Sequence, residues 1–479
     1  MKRRDFLKVI GLAAVSASFI DAFAQGAVAK PAKPNILFVI SDDLCSALSG
    51  FGHPQCKTPN LDKLAGRGIR FDRAYCQWPV CGPSRASIMT GLHPAVLKMK
   101  NNRSLFRRTA PDVTTLPQLF MNNGYYAARV SKVYHMGIPG DILEGKAGPD
   151  DPASWNETVN IKAPEQNSTG QKEDLSPKVT SAGMDFVTVR VENDDSLQAD
   201  KQAVDKALEM LPKLKDKPFF LGVGLVRPHV PLVAPDDLFD KYPAKDMPLP
   251  EVPKGDLDDV PRDARRNTNA VKYKMSREQQ HKVLQGYYAS VSYMDQQVGR
   301  LLEGLEEAGL ADSTVVVFTS DHGYNLGQHT CWQKQSLFED TVRVPLIISV
   351  PWLSNAGQRA EEIVELVDLY PTLADLAGLT APNYLHGTSL RPLLESPDGI
   401  KWKKKAAYTT APWNGRSIRT DQWRYTTWSN GKKGTELYDH KDDPGEFTNL
   451  AKKSEYKDTV RELQKQMDTL TKRSTALKY

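Results

Sequence analysis

Asn35-Ile36-Leu37-Phe38-Val39-Ile40-Ser41-Asp42-Asp43 is the stretch on which the fold turns. A strand with one wet face alternates apolar and polar residues. This run does not alternate, so both of its faces must be covered, as in a parallel sheet packed between helices. Three further runs have the same texture: Pro218–Leu225, Thr314–Ser320 and Val344–Val350. Between them, Leu116–Asn123, Leu197–Leu211 and Glu278–Ala308 space their apolar residues by three and four, the period of a helix with one buried face. Strands alternating with helices predict an α/β domain, with a large, mainly parallel sheet sandwiched by helices. The two aspartates then fall at the carboxyl end of a buried strand, where open α/β sheets place their ligands.

Working outward, the chain has 479 residues, 40% hydrophobic and 25% charged, enough apolar material for a sizeable core. Its 63 basic and 58 acidic residues nearly cancel, which excludes a nucleic-acid partner argued from bulk charge. Five cysteines are too few for a disulfide scaffold, and an odd count leaves at least one unpaired within the chain. Residues 1–24 join a basic start (Lys2, Arg3, Arg4) to a short apolar stretch, then Ala22-Phe23-Ala24. This reads as an export signal of the twin-arginine type, too short to span a membrane, and predicts a periplasmic or secreted protein with no integral membrane segment. Residues 137–195 and 243–272 are irregular in composition. Beyond about residue 380, short β-like runs and a helical stretch over Ser454–Leu470 predict a small α+β subdomain with an antiparallel sheet. The expected division is a signal peptide over 1–24, a catalytic domain over 31–380 and a C-terminal subdomain over 381–479.

Two constellations carry chemistry. In Cys81-Gly82-Pro83-Ser84-Arg85-Ala86-Ser87-Ile88-Met89-Thr90-Gly91, Pro83 suits the first turn of a helix. That puts Cys81 at a helix N-terminus beside Arg85, in a positive field suited to an anion. On these residues alone a thiolate nucleophile is one reading and a buried structural cysteine another. Asp42 and Asp43, ending a buried strand, are costly without a cation nearby, the other reading being a capping pair at the start of a helix. Phe318-Thr319-Ser320-Asp321-His322 repeats the arrangement. Asp42, Asp43, Asp321 and His322 together form a hard, oxygen-rich set suited to Ca²⁺ or Mg²⁺.

The eleven-residue pattern C-x-P-S-R-x-S-x-x-T-G resembles the signature of the type I sulfatases, in the alkaline-phosphatase-like superfamily. The likeness extends over about Pro34 to Leu450 and is greatest to the branch of iduronate-2-sulfatase and its bacterial relatives. It is carried there by Lys132-Val133-Tyr134-His135, Tyr287–Asp295 and Glu436–Asp439 with Asp443–Glu446. The resemblance implies that Cys81 is oxidised to Cα-formylglycine by a formylglycine-generating or anaerobic sulfatase-maturing enzyme. The aldehyde hydrate then supplies the attacking oxygen, and Asp42, Asp43, Asp321 and His322 hold a divalent cation, usually Ca²⁺, with residue 81. It also implies that Lys132 and Lys334 bind sulfate, that His229 in Arg227-Pro228-His229-Val230-Pro231 is the general acid, and that His135 helps expel sulfate. Arg85 belongs to the same anion-binding set. Two positions depart from the family pattern: Ser131 stands where Gly is usual, and Cys45 where Arg is frequent.

The implied reaction is hydrolysis of a sulfate ester on an oligo- or polysaccharide, a glycosaminoglycan uronate-2-sulfate or an algal polysaccharide sulfate. The alternative on the same fold is a phosphatase, phosphodiesterase or phosphonate hydrolase. The basic stretch Lys98–Arg108 and the aromatics Trp155, Trp332 and Trp413 are candidate contacts for such a substrate. Cys45, Cys56, Cys76 and Cys331 allow three full disulfide connectivities, which the spacing does not rank.

Overall fold

The run at Asn35 becomes β1 (Asn35–Asp42), and every one of its residues is buried. In this computed structural model, which describes residues 28–176, 186–192, 195–265 and 273–476, β1 lies inside an eight-stranded sheet. The other strands of that sheet are β2 (Ile69–Tyr75), β3 (Tyr126–Ser131), β4 (Glu157–Val159), β7 (Phe219–Pro228), β9 (Thr314–Ser320), β12 (Arg343–Ser349) and β13 (Arg359–Glu365). Their order is β13-β2-β12-β9-β1-β7-β3-β4. All neighbours pair in parallel except β12, which is antiparallel to both β2 and β9. The export signal read over residues 1–24 lies outside the described residues.

The alternation within β1 shows why its run is uninterrupted. Leu37 and Val39 join a cluster on one face, packed with α4 (Ala199–Met210), the long α5 (Arg277–Glu307) and, earlier in the chain, α1 (Pro59–Gly66). Ile36, Phe38 and Ile40 join the cluster on the other face, with α2 (Cys81–Thr90), α3 (Leu116–Asn122) and α6 (Leu369–Leu376). Helix starts are set by local chemistry. The Ser276 side chain accepts from the Gln279 N–H, and Gln279 returns the bond to close a capping box on α5; Thr115 and Gln118 do the same for α3.

The irregular stretch 137–195 holds more structure than its composition predicts. Besides β4 it contains β5 (Gly170–Asp174) and β6 (Val187–Val191), which join β8 (Leu232–Pro235) in a three-stranded sheet. Strand β5, Gly-Gln-Lys-Glu-Asp, is exposed along nearly its whole length, so no hydrophobic pattern marks it. A two-stranded ribbon, β10 (Asn325–Leu326) with β11 (Trp332–Gln333), follows the Asp321 turn.

The C-terminal region is an antiparallel meander, β14 (Ala406–Ala411), β15 (Gly415–Thr420), β16 (Trp423–Trp428) and β17 (Thr435–Asp439), covered by α7 (Lys457–Thr475). Tyr408, Ile418, Tyr425, Leu437, Leu463 and Met467 give it a core of its own. Buried charges tie it to the large sheet. Arg424 pairs with both Glu339 and Glu446, and the Glu339 N–H donates to Glu446 Oε2 at 2.8 Å.

Three expectations change. Trp155 and Trp332 are core residues, 6% and 1% exposed, so neither is a sugar-stacking surface. Trp155 packs edge-on against Tyr134 instead. All five cysteines, Cys81 included, are buried free thiols, so none of the disulfide connectivities is formed. Within Lys98–Arg108, Arg107 is not a free cation: it grips Asp151 through two hydrogen bonds of 3.0 and 2.7 Å. Among the described residues, no helix is long and apolar enough to cross a membrane.

Candidate active site

The carboxyl ends of β1 and β9 lie side by side, because Ser41 pairs with Ser320. That register brings Asp42, Asp43 and Asp321 together from opposite ends of the sequence. One ligand oxygen from each lies within 4.8 Å of the others. Asp43 has a left-handed backbone (φ 61°), which turns the chain out of the strand. The Asp43 and His322 N–H groups both donate to Asp321 Oδ1, at 3.2 and 3.0 Å.

Cys81 is the first residue of α2 and is fully buried. Its sulfur lies 3.2 Å from Lys334 Nζ, 3.4 Å from His322 Nε2 and 3.9 Å from Asp43 Oδ1. Burial, seconded by the Asp42 charge, pushes the thiol far up, against the pull of Lys334 and Lys132. Burial thus disfavours the thiolate form.

Lys132 follows β3 and ion-pairs with Asp42; Lys334 reaches Asp43 Oδ1 at 2.6 Å. Burial raises the Asp42 carboxyl, but Lys132, His229 and Arg85 together outweigh it and hold the group well below the usual carboxylate range. Burial also works against the Lys334 ammonium, yet Asp43, Cys81 and Asp42 raise it above the usual lysine value. Each lysine is thus paired with one of the two adjacent aspartates, Lys132 with Asp42 and Lys334 with Asp43.

Arg85 sits differently from its expected place among the anion contacts. It is fully buried and all five of its N–H donors are taken. Nε donates to Asp321 at 2.8 Å, Nη2 to Ser41 O and Asp42 Oδ1 at 3.2 Å each, and Nη1 to the Lys132 and Val133 carbonyls. With no donor left for a substrate, it is a positioning residue that braces two acidic strand ends and the Lys132 turn at once.

The imidazoles are oriented by their backbone partners. His322 Nδ1 lies 2.9 Å from Gly323 O and His229 Nδ1 2.6 Å from Val230 O, so each Nδ1 donates to a backbone carbonyl and Nε2 is the nitrogen turned into the site. His322 Nε2 then faces Asp43 Oδ1 at 3.3 Å and Cys81 Sγ at 3.4 Å. Three carboxylates and an imidazole nitrogen converging in a fully buried pocket form an arrangement that calls for a cation. The donor set fits a divalent ion: three carboxylates, one imidazole with its second nitrogen tied back, and residue 81 alongside. His229 Nε2 stands 3.7 Å from Asp43 Oδ2, and burial lowers this ring to about 4, with Asp43 pulling the other way. Burial, then Lys132, lowers His135 well below its usual value, and its buried Nδ1 has no partner in the protein.

Several supporting residues were not singled out from the sequence. Tyr287, on α5, donates to Asp43 O at 2.8 Å and accepts from the Cys45 N–H at 3.0 Å. Cys45 itself is buried against that tyrosine. Glu165 grips Arg227 with both oxygens, at 2.8 and 2.7 Å, and fixes the turn that carries His229. Arg227 stands at the unspecified first position of its motif. Glu165 lies in the irregular stretch with no local signal at all.

The sulfatase family profile matches residues 34–379, and the profile described as N-sulphoglucosamine sulphohydrolase, C-terminal, matches residues 327–473. The chain belongs to the sulfatase family. Human iduronate 2-sulfatase is 33% identical over 82% of this chain and 84% of that protein. Among solved structures, one in complex with its substrate D-glucosamine-2-N,6-O-disulfate aligns at TM-score 0.74 and 25% identity, covering 92% of this chain and 98% of the other. A phosphonate monoester hydrolase from Silicibacter pomeroyi aligns at TM-score 0.76 and 23% identity, over 92% and 96%, and shows the shared fold.

The departure of this sulfatase at Ser131 has a geometric meaning. Ser131 has φ 60°, in the region glycine adopts without strain, and its buried Oγ has no partner in the protein. Ser131→Gly is therefore expected to raise stability by about 1 kcal/mol, by relieving both the backbone and the orphaned hydroxyl. Chemical denaturation checks this; a lower midpoint would contradict it.

Proposed function

We propose that this sulfatase removes sulfate from a sulfated carbohydrate, using Cα-formylglycine formed from Cys81 and a divalent cation, with Ca²⁺ the ion that best suits three carboxylates. In this reading Cys81 Sγ stands where the oxygens of the formylglycine hydrate belong. The observation that carries the proposal is the convergence of His322 Nε2 on Asp43 and on Sγ, with Lys334 3.2 Å from that sulfur. When bound, the cation withdraws charge from the sulfate oxygens and lowers the pKa of the attacking hydroxyl.

The chain's own side chains do the rest. Lys132 and Lys334 neutralise the sulfate and hold it beside residue 81. His229 offers Nε2 to the leaving oxygen as general acid, and the charge of the arriving ester favours the imidazolium that role needs. His135 accepts the proton whose loss expels sulfate. Arg85 keeps Asp42, Asp321 and Lys132 in register. Because Cys81 is fully buried in the folded protein, a maturing enzyme has to act on it before this part of the chain folds.

A carbohydrate leaving group is supported by the cavity of about 230 Å³ beside His135. Phe106 and Tyr134 give it an apolar wall, and Asp150, whose Oδ1 has no protein partner, also lines it. A cavity that offers a free carboxylate oxygen suits the hydroxyls of a sugar. Uronate-2-sulfate follows from the likeness to the iduronate 2-sulfatases, with algal polysaccharide sulfate as the other class. Export to the periplasm by the twin-arginine route rests on residues 1–24.

The test compares aryl sulfate, aryl phosphate and phosphonate monoesters, before and after chelation. The sulfate ester should lead by at least about a hundredfold in kcat/KM, roughly 3 kcal/mol of transition-state discrimination. Chelation should abolish turnover and lower the unfolding temperature, and Ca²⁺ should restore both. Preference for the phosphorus esters would transfer the protein to the alternative reaction, and indifference to chelation would remove the cation.

A further inference from the structure

Residues 401–405 read Lys-Trp-Lys-Lys-Lys and lead into β14. Two of them turn inward. Trp402 is 4% exposed and its Nε1 donates to Ile363 O at 2.9 Å. Lys404 Nζ is held by Asp368 at 2.6 Å and by Glu365 at 2.7 Å. With alternate residues pinned to the protein, Lys401, Lys403 and Lys405 are all exposed. Burial thus alternates as the chain leaves the turn at Lys401 and enters β14, and where the segment is extended, Lys403 and Lys405 stand on one side roughly 7 Å apart.

These lysines border a groove of about 640 Å³ against α7. Gln466, Thr469, Leu470 and Arg473 form the facing wall, spaced by three, one and three residues along one side of the helix. No aspartate or glutamate lines the groove. Among the described residues, Lys401 and Lys403 have no ion-pair partner, and Lys405 comes only within 3.5 Å of Glu362. In a chain whose charges nearly cancel, a groove with four cations besides the paired Lys404, and no lining carboxylate, is a local concentration of positive charge. Its regular spacing comes from two buried anchors and not from a flexible tail.

We propose that this groove is a second, non-catalytic site that holds a sulfated polysaccharide chain, with the outward lysines and Arg473 pairing successive sulfates. The choice of a sulfated polysaccharide over another polyanion rests on the sulfatase reading; the groove itself does not. A linear chain with repeating anionic groups matches a row of regularly spaced ammonium groups backed by the amide and hydroxyl of Gln466 and Thr469. The site adds affinity for polymers and leaves small esters unaffected.

The test uses the full-length protein with Cys81→Ala, which silences turnover, alone and combined with Lys401→Ser, Lys403→Ser and Lys405→Ser. Binding to heparin and to dextran sulfate is measured across a salt series, with duplex DNA as the comparison polyanion. Because all three lysines are exposed, the combined variant should fold normally, and a thermal melt verifies it. The expected result is affinity for the sulfated polymers lower by about tenfold or more, with a shallower salt dependence. In the protein that keeps Cys81, aryl sulfate turnover should be unchanged by the three substitutions. Unaltered polymer affinity would overturn the site. DNA binding as tight as heparin binding, and lost equally, would overturn its assignment to sulfated polysaccharide. Failure of the unsubstituted protein to hydrolyse any sulfate ester would strike the function proposed above and not the groove, which the binding arm reads independently.

Discussion

Cys81→Ala is expected to lower sulfate-ester turnover by about 10⁵-fold or more, the scale on which removing a covalent nucleophile acts in other hydrolases. The fold should survive. Cys81 opens α2 and its side chain is small, so truncation removes one buried atom, at a cost of about 1 kcal/mol. The cations and carboxylates around it stay paired with one another through Lys132–Asp42, Lys334–Asp43 and Arg85–Asp321. Loss of activity with an unchanged far-UV spectrum and melt is therefore the expected pair of results. Turnover within tenfold of the unsubstituted enzyme would remove residue 81 from the reaction.

Arg85→Met is expected to act on stability as strongly as on activity. The guanidinium is the sole cation facing Asp321 at hydrogen-bond distance among the described residues, and it also braces Asp42 and the Lys132 turn. Taking one partner from a buried ion-pair network leaves charges uncompensated, which costs about 3–5 kcal/mol. Methionine fills much of the space, so the loss should be electrostatic and not a packing defect. Added Ca²⁺ should recover part of it, because a cation among the three aspartates replaces some of the missing charge. Arg85→Lys should fall between, since an ammonium keeps the charge but cannot serve five acceptors in a fixed fork. Urea unfolding with and without Ca²⁺ reads all of this. A midpoint for Arg85→Met equal to that of the unsubstituted protein would contradict the bracing role.

The features legible in the sequence share a physical reason. Strands β1, β7, β9 and β12 announce themselves because both of their faces are buried, which makes the apolar runs continuous. Strand β2 carries Arg70, Asp72 and Arg73 among its apolar residues, and β3 is Tyr-Ala-Ala-Arg-Val-Ser, so neither forms such a run. The antiparallel direction of β12 was not legible either, because a side-chain period of two is the same read forwards or backwards. At the site, residue types and strand ends were enough to bring Asp42, Asp43, Asp321 and His322 together, since ligands gather where buried strands end, whereas Cys81, Lys132, His135, His229 and Lys334 join them only through the family resemblance. Orientation was not legible. That Arg85 spends every donor inward depends on the approach of β1, β9 and the Lys132 turn to one helix. The Glu165 clamp on Arg227 joins segments with no local pattern to connect them.

The central claim is that residue 81 of the active protein is an aldehyde and not a thiol. Mass spectrometry of the peptide containing residue 81, from protein purified out of its own host and assayed in the same preparation, tests it most directly. The account predicts the mass of Cα-formylglycine, in a fraction that tracks specific activity from one preparation to the next. An intact cysteine at position 81 in protein that cleaves sulfate esters at full rate would contradict it.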